Sequence, residues 1–336
     1  MRICIVGNYR WNFYEEALFE GFSSLGHTAD RYVINTQGLF SLHFKPGLQK
    51  KINNEFLSHI TATKPDAIFF YRVNEIYKQT LDQIRILIPW IRLVSYHNDN
   101  PYKGFRNRLK YHNYLSCLKS CDLLYVYRPS NINCGYRYGA TNVKILMPYY
   151  YSKVHLNHEL SINHKIQDVV FVGHVEDDGR IDVIDYLIKN KVDVKVYGPD
   201  WDKIGHQKSW PIHCTKPPVY QKEYYNVILN SKVALCFFSK ANEDIYTRRV
   251  FEIPAIGTAL ATENTEFTRS FFKDGHDVIM FRDKVDLLEK LCHILKSPSD
   301  IKRITANGHS KIITTCNSEK DRAAQIVNDL LAIKQR

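Results

Sequence analysis

The chain has 336 residues, 44% hydrophobic and 24% charged, which excludes a disordered or collagen-like polymer and gives room for two domains of ordinary size. Its net charge of +11 is uneven: residues 1–150 hold 19 Lys and Arg against 10 Asp and Glu, leaving 27 against 25 in the remainder. A basic N-terminal half suits an anionic acceptor, an anionic membrane surface or nucleic acid as partner.

Met1-Arg2-Ile3-Cys4-Ile5-Val6-Gly7 is a short apolar run broken by Asn8-Tyr9-Arg10, which reads as a first strand and its turn rather than a signal peptide. No stretch approaches the roughly 18 apolar residues of a membrane span, so a cytoplasmic protein is expected. Strands are predicted at 2–7, around 29–34, at 66–71, 91–96 and 122–127, and near 143–147. Helices are predicted between them at 12–26, 48–63, 77–87, 105–119 and 130–138. Polar, aperiodic residues 149–166 read as a linker. A second series follows, with strands at 168–173, 192–198, near 212–214, 233–238, 258–262 and 277–281. Its helices are expected at 179–190, 220–230, 248–256, 264–273, 283–296, 298–314 and 318–333. The alternation predicts α/β architecture in two doubly wound domains, 1–148 and 167–317, with a C-terminal helix in 318–336.

Eight cysteines are scattered without a CxxC pair, so reduced thiols and no metal site are expected. The acids Glu176-Asp177-Asp178 read as a solvated loop. Ligands in open α/β sheets bind at the carboxyl ends of strands, which directs attention to the loops there. Gly7-Asn8-Tyr9-Arg10 is one such loop. It lacks GxGxxG, so NAD is not expected. Ser95-Tyr96-His97-Asn98-Asp99-Asn100-Pro101 is another. There His97 can hydrogen-bond a hydroxyl and Asp99 can act as a general base, or the segment is an Asx-turn before a proline. Lys103, Arg106, Arg108 and Lys110 interleave with Tyr102, Phe105, Tyr111 and Tyr114. Such a segment lies on an anionic membrane, holds an anionic acceptor, or is a solvated helix with its aromatics in the core.

The richest segment is 239–281. Asp244 and Glu252 stand eight positions apart with Arg248 and Arg249 between them, at the entrance of a short helix that ends in Gly257. A carboxylate there accepts bonds from both hydroxyls of a ribose, and an arginine with the helix N–H groups neutralises a pyrophosphate. Tyr246, Arg249, Phe251, Glu252, Ala255 and Gly257 match the pattern Tyr-x-x-Arg-x-Phe-Glu-x-x-Ala-x-Gly. On these residues the chain resembles the GT-B glycosyltransferases, most closely their CgeB-like (spore-maturation) group.

The resemblance implies two Rossmann-like domains facing across a cleft, acceptor in the first and nucleotide sugar in the second, with the last helix returning toward the N-terminal domain. It implies a metal-independent hexosyl or related transferase with no cofactor, working in cell-envelope or surface polysaccharide synthesis. Retaining GT-B families carry two glutamates spaced like 244 and 252; this chain has Asp244 at the first and Glu252, the ribose ligand, at the second. Donor contacts are implied for Gly7, Asn8, Gly173, Arg180, Gly198, Lys216, Tyr246, Thr247, Arg248, Arg249 and Glu252, and catalytic roles for His97, Asp99, Asp244 and Arg249. Expected partners are a nucleotide-diphosphate sugar and a glycan, lipid-linked or protein acceptor, without nucleic acid. Peripheral contact with the inner membrane face through the N-terminal domain stays open. So do two alternatives, a nucleotide-sugar epimerase of similar fold and a non-catalytic basic binding protein.

Overall fold

The computed structural model describes residues 1–34, 46–156 and 165–333. They divide into two compact units, Met1–Met147 with Glu319–Arg336, and Pro148–Ser318. Residues 157–164 of the expected linker and 334–336 of the expected last helix lie outside the described residues.

In the first unit the apolar runs become six parallel strands: β1 (Arg2–Gly7), β2 (Thr28–Val33), β3 (Ala67–Tyr71), β4 (Arg92–His97), β5 (Leu123–Val126) and β6 (Val143–Ile145). They lie in the order β2-β1-β3-β4-β5-β6. All residues of β3 and β5 are buried, as a strand covered on both faces requires, which is why they read as continuous apolar runs rather than as alternation. The helices are α1 (Glu15–Ser24), α2 (Pro46–Thr63), α3 (Lys78–Leu87), α4 (Gly104–Lys110), α5 (His112–Cys117) and α6 (Ile132–Arg137). The single helix expected over 105–119 is therefore broken. Its second half buries Tyr111, Tyr114, Leu115 and Leu118 in a core cluster, whereas α4 buries nothing, so no common face holds the two in line.

The second unit contains α7 (Ser152–His155), β7 (Gln167–Val172), α8 (Arg180–Lys189), β8 (Val194–Tyr197), α9 (Trp201–Gln207), β9 (Thr215–Lys216) and α10 (Gln221–Leu229). It continues with β10 (Ser231–Cys236), α11 (Arg249–Ile256), β11 (Ala259–Glu263), α12 (Glu266–Phe271), β12 (Ile279–Phe281), α13 (Lys284–Ile294) and α14 (Pro298–Thr314). The strand order is β12-β11-β10-β7-β8-β9, and every pairing is parallel. The direction of winding reverses between β7 and β10. Two local expectations fail here. Residues Ile212–Cys214 form a 3-10 turn and the strand begins one step later, while α9 was not anticipated because it opens on Asp200, held left-handed at φ 65 behind a proline. Tyr149, Tyr150 and Tyr151, read as linker, are buried within this unit.

The last helix, α15 (Glu319–Ala332), belongs to the first unit. Asp329 anchors it, accepting from Tyr125 Oη at 2.5 Å and Lys144 Nζ at 2.7 Å, and Gln325 Nε2 donates to Ile145 O at 3.0 Å. It packs on α1 at Gly21, where a Cβ would stand 2.7 Å from Glu319 O and 3.1 Å from Ala323 Cβ. Among the described residues, no helix is long and apolar enough to cross a membrane. Gly21→Leu should force these helices apart and cost about 2–3 kcal/mol in urea unfolding, with faster amide exchange along α15.

Candidate functional site

In an open α/β sheet the ligand crevice forms outside the carboxyl ends of the strands where winding reverses. In the second unit these are β7 and β10. Beyond β7, Gly173 donates its N–H to Tyr197 O at 2.9 Å and accepts from Trp201 Nε1 at 2.8 Å. Gly198, at φ 153, comes so near that a Cβ would lie 2.0 Å from Gly173 O. Gly198 thus allows one backbone segment to pass another, and Trp201, with no exposed surface, is core. A Cβ on Gly173 would lie 3.4 Å from Arg249 Nη2, so the Arg249 guanidinium overhangs the end of β7.

Opposite, Thr247 Oγ1 lies 3.5 Å from Cys236 Sγ on β10 and accepts from Arg249 N at 3.2 Å, which ties the start of α11 to the strand end. Glu252, in the first turn of α11, has 0% exposure. Its two oxygens meet the Tyr224 hydroxyl of α10 and the Arg248 guanidinium. The expected motif thus has two halves. Thr247, Arg248, Arg249 and Glu252 form a polar cluster at the helix entrance. Tyr246 and Phe251 are buried and pack at a tilt against Phe267, with centroids 4.7 and 6.2 Å away. Ala255 is also core, and Gly257, at φ 87, ends the helix in the left-handed region.

Other expected contacts are placed differently. Arg180 is 4% exposed and already balanced, bonded in a fork to Asp178, at 2.9 Å to His174 O, and 3.4 Å from Glu176. Two of the three loop acids are thereby accounted for. Lys216 lies on the edge strand β9, two strands away from β7. Asp244 is half-buried in the β10–α11 connection, its N–H bonded to Ser239 O at 3.0 Å.

The first unit has its own reversal, between β1 and β3, and brings Gly7, Asn8, His97 and Asp99 to the carboxyl ends of β1 and β4. The β1 loop is filled from within. Asn8 N donates to Glu15 Oε1 at 3.1 Å, and a Cβ on Gly7 would lie 2.4 Å from that oxygen. Burial raises the Glu15 carboxyl, against the backbone bonds that lower it. Arg72, left-handed at φ 56 just past β3, reaches Asp99 at 3.4 Å. Burial alone would raise Asp99, but Arg72 and the Tyr111 hydroxyl at 2.9 Å outweigh it and hold the carboxyl below its usual range. Burial pushes His97 down to about 3, Asp99 opposing. Its Nδ1 accepts from Asp99 N at 3.1 Å, which assigns the proton of the neutral ring to Nε2. The sequence reading missed Tyr224, Arg72 and Glu15. The one available signal was for Arg72, which directly follows a buried strand.

Among the described residues one group stands at metal-holding distances, Cys4, Asp30 and His59, with ligand atoms within 4.8 Å of one another. It lies on β1, β2 and α2 and already contains a 2.9 Å bond from His59 Nε2 to Asp30.

Solved structures share this architecture. Sucrose-phosphate synthase from Thermosynechococcus elongatus superposes with a TM-score of 0.69 at 11% identity, covering 99% of this chain and 100% of its own. Anabaena HepE in complex with UDP-glucose gives the same four figures, 0.69, 11%, 99% and 100%. The chain has the GT-B fold. A putative UDP-N-acetylglucosamine 2-epimerase from Listeria monocytogenes is similar at 0.57 and 9% identity, over 97% of this chain and 94% of its own. Residues 180–328 match the family model described as glycosyl transferase-like, a span that includes Tyr224 and all of α11. No curated protein matches in sequence.

On a GT-B scaffold the neutral state of His97 is open to direct measurement. The folded value of about 3 lies below the ordinary 6.5, so between them the unfolded chain binds a proton that the folded chain refuses. Stability from this site is complete above about pH 6.5 and declines as pH falls toward 3. His97→Asn, which keeps an acceptor for Asp99 N, should flatten the profile by up to about 1.4 kcal/mol per pH unit in urea unfolding between these limits.

Proposed function

We propose that the chain is a glycosyltransferase that takes a sugar from a nucleotide-diphosphate donor bound by the second unit and passes it to an acceptor bound by the first. The observation that carries this reading is the buried Glu252 carboxylate beside Arg248 and Arg249, at the winding reversal of a sheet whose segment 180–328 matches a glycosyl transferase-like model. Glu252 binds the ribose hydroxyls. Arg249, poised over Gly173, offsets charge on the leaving diphosphate, the electrostatic contribution that usually dominates such catalysis. Cations of the chain then do the work without a metal. Arg180 takes a supporting part, since Asp178 already offsets its charge.

In the first unit His97 offers an Nε2–H donor to a sugar hydroxyl. Asp99 is ionised but weakly basic, because Arg72 and Tyr111 both stabilise its charge. A weak base is a poor acceptor for a hydroxyl proton, which supports retention, with the leaving phosphate taking that proton. The match of Tyr246–Gly257 to the CgeB-like pattern supports a role in envelope or surface glycan synthesis. The acceptor is a glycan, a lipid-linked glycan or a protein. An epimerase would instead convert donor alone into a new sugar nucleotide, which incubation without acceptor detects.

With no exposed surface, Glu252 reaches a ribose only after its own cover moves. Tyr224 is half-exposed and its hydroxyl stands where a ribose hydroxyl would bond. It is a placeholder that swings out when donor enters. Anabaena HepE is seen with UDP and with UDP-glucose, so UDP is the first probe. In calorimetry Glu252→Gln should weaken UDP at least tenfold. Tyr224→Phe, which releases a bond to a charged acceptor, should tighten it by roughly tenfold. UDP binding unchanged in Glu252→Gln would remove the basis of the transferase reading, whereas a change in Glu252→Gln alone would remove only the placeholder.

A further inference from the structure

Helix α4 is inside out for a helix of a folded domain. None of its residues is buried. Asn107 Nδ2 donates to Asn100 O at 3.0 Å, so the Asn107 side faces the body of the unit. At about 100° per residue, Phe105 and Leu109 lie on the opposite side of the helix. They are 69% and 56% exposed. On the same projection Arg106 and Arg108 flank this apolar pair, one on each side. Lys103 and Lys110 stand at the two ends, and all four cations are exposed. No acid occurs between Asp99 and Asp122. Two tethers hold the helix in this attitude, the Asn107 bond and the bond from Asn74 Nδ2 to Lys110 O at 2.7 Å.

We infer that α4 is an interfacial helix that rests on an anionic lipid bilayer. Phe105 and Leu109 enter the boundary between headgroups and acyl chains, and the flanking cations meet lipid phosphates. An apolar pair pointing straight away from the protein forgoes the burial that would otherwise hold a short helix in place, and a bilayer supplies that burial. Nucleic acid would use the cations and could stack on Phe105, but it gains nothing from Leu109 one turn further on. The basic surplus of the N-terminal half thus has a defined seat. The helix opens five residues after Asp99, so the membrane lies beside the carboxyl end of β4. Joined to the proposed transfer reaction this favours a lipid-linked acceptor, although membrane binding itself does not depend on that reaction.

The test is flotation of the full chain with vesicles of phosphatidylcholine alone or with about 30% phosphatidylglycerol, at low and high salt. The chain should float with the anionic vesicles at low salt, weakly with the neutral ones, and less as salt rises. Phe105→Ser with Leu109→Ser, and separately Arg106→Glu with Arg108→Glu, should each lower partitioning about tenfold or more, at roughly fivefold per basic side chain. All four side chains are exposed, so both double variants should melt like the parent chain. Phe105→Trp should show blue-shifted emission only with anionic vesicles. Absence of flotation at low salt overturns the inference. So does flotation lost in the arginine variant but intact in the apolar one, or tighter binding to a single-stranded RNA oligonucleotide than to vesicles.

Discussion

A carboxylate with no contact to solvent costs several kcal/mol unless charge and hydrogen bonds replace the lost water. Glu252 is such a group, and much of the second unit is arranged around its needs. Arg248 supplies the opposite charge from one turn earlier, and Tyr224 supplies a donor from α10. For these groups to converge, α11 must begin where β10 ends and α10 must lie beside it. Thr247 fixes the first requirement through Cys236 and the Arg249 amide, and Gly257 stops the helix after two turns. His309 closes the other end, 3.2 and 3.1 Å from Pro254 O and Ala255 O. The half-exposed Tyr224 hydroxyl serves the carboxylate oxygen that the Arg248 contact leaves over.

The strands were legible because parallel strands covered on both faces must be continuously apolar, and β3, β5, β7 and β10 lie where such runs stand. Helix ends were legible where a residue type dictates the stop, as at Gly257. Two things were not. The division of 104–117 into α4 and α5 depends on where the domain core ends, and local periodicity does not encode that. Nor does it encode polar partners across a sheet end. Tyr224 and Glu252 are 28 positions apart, Arg72 and Asp99 27, and strand order alone makes them neighbours.

For the same reason the sequence could list cations but not say which are spent. Arg180 and Arg249 look equivalent in the chain, each at a helix start after a strand. In the fold Arg180 has Asp178 two residues away and lies over the Phe171 ring at 5.6 Å, so a ligand phosphate would have to compete with a fork already made. Arg249 hangs instead over a glycine, where the missing side chain leaves backbone close at hand.

The first unit repeats this logic with the opposite sign. Its β1 loop, the position where a dinucleotide fold would seat phosphate, is filled by Glu15, whose carboxyl accepts from the Asn8 amide. Any group brought to this loop would meet the Glu15 carboxyl at the Asn8 amide. Arg72, His97 and Asp99 present a guanidinium, a neutral imidazole donor and a stabilised carboxylate within a few ångströms. The two strand ends therefore differ in charge: Arg248 and Arg249 stand at the entrance of α11 in the second unit, whereas the β1 loop of the first unit holds the Glu15 carboxyl.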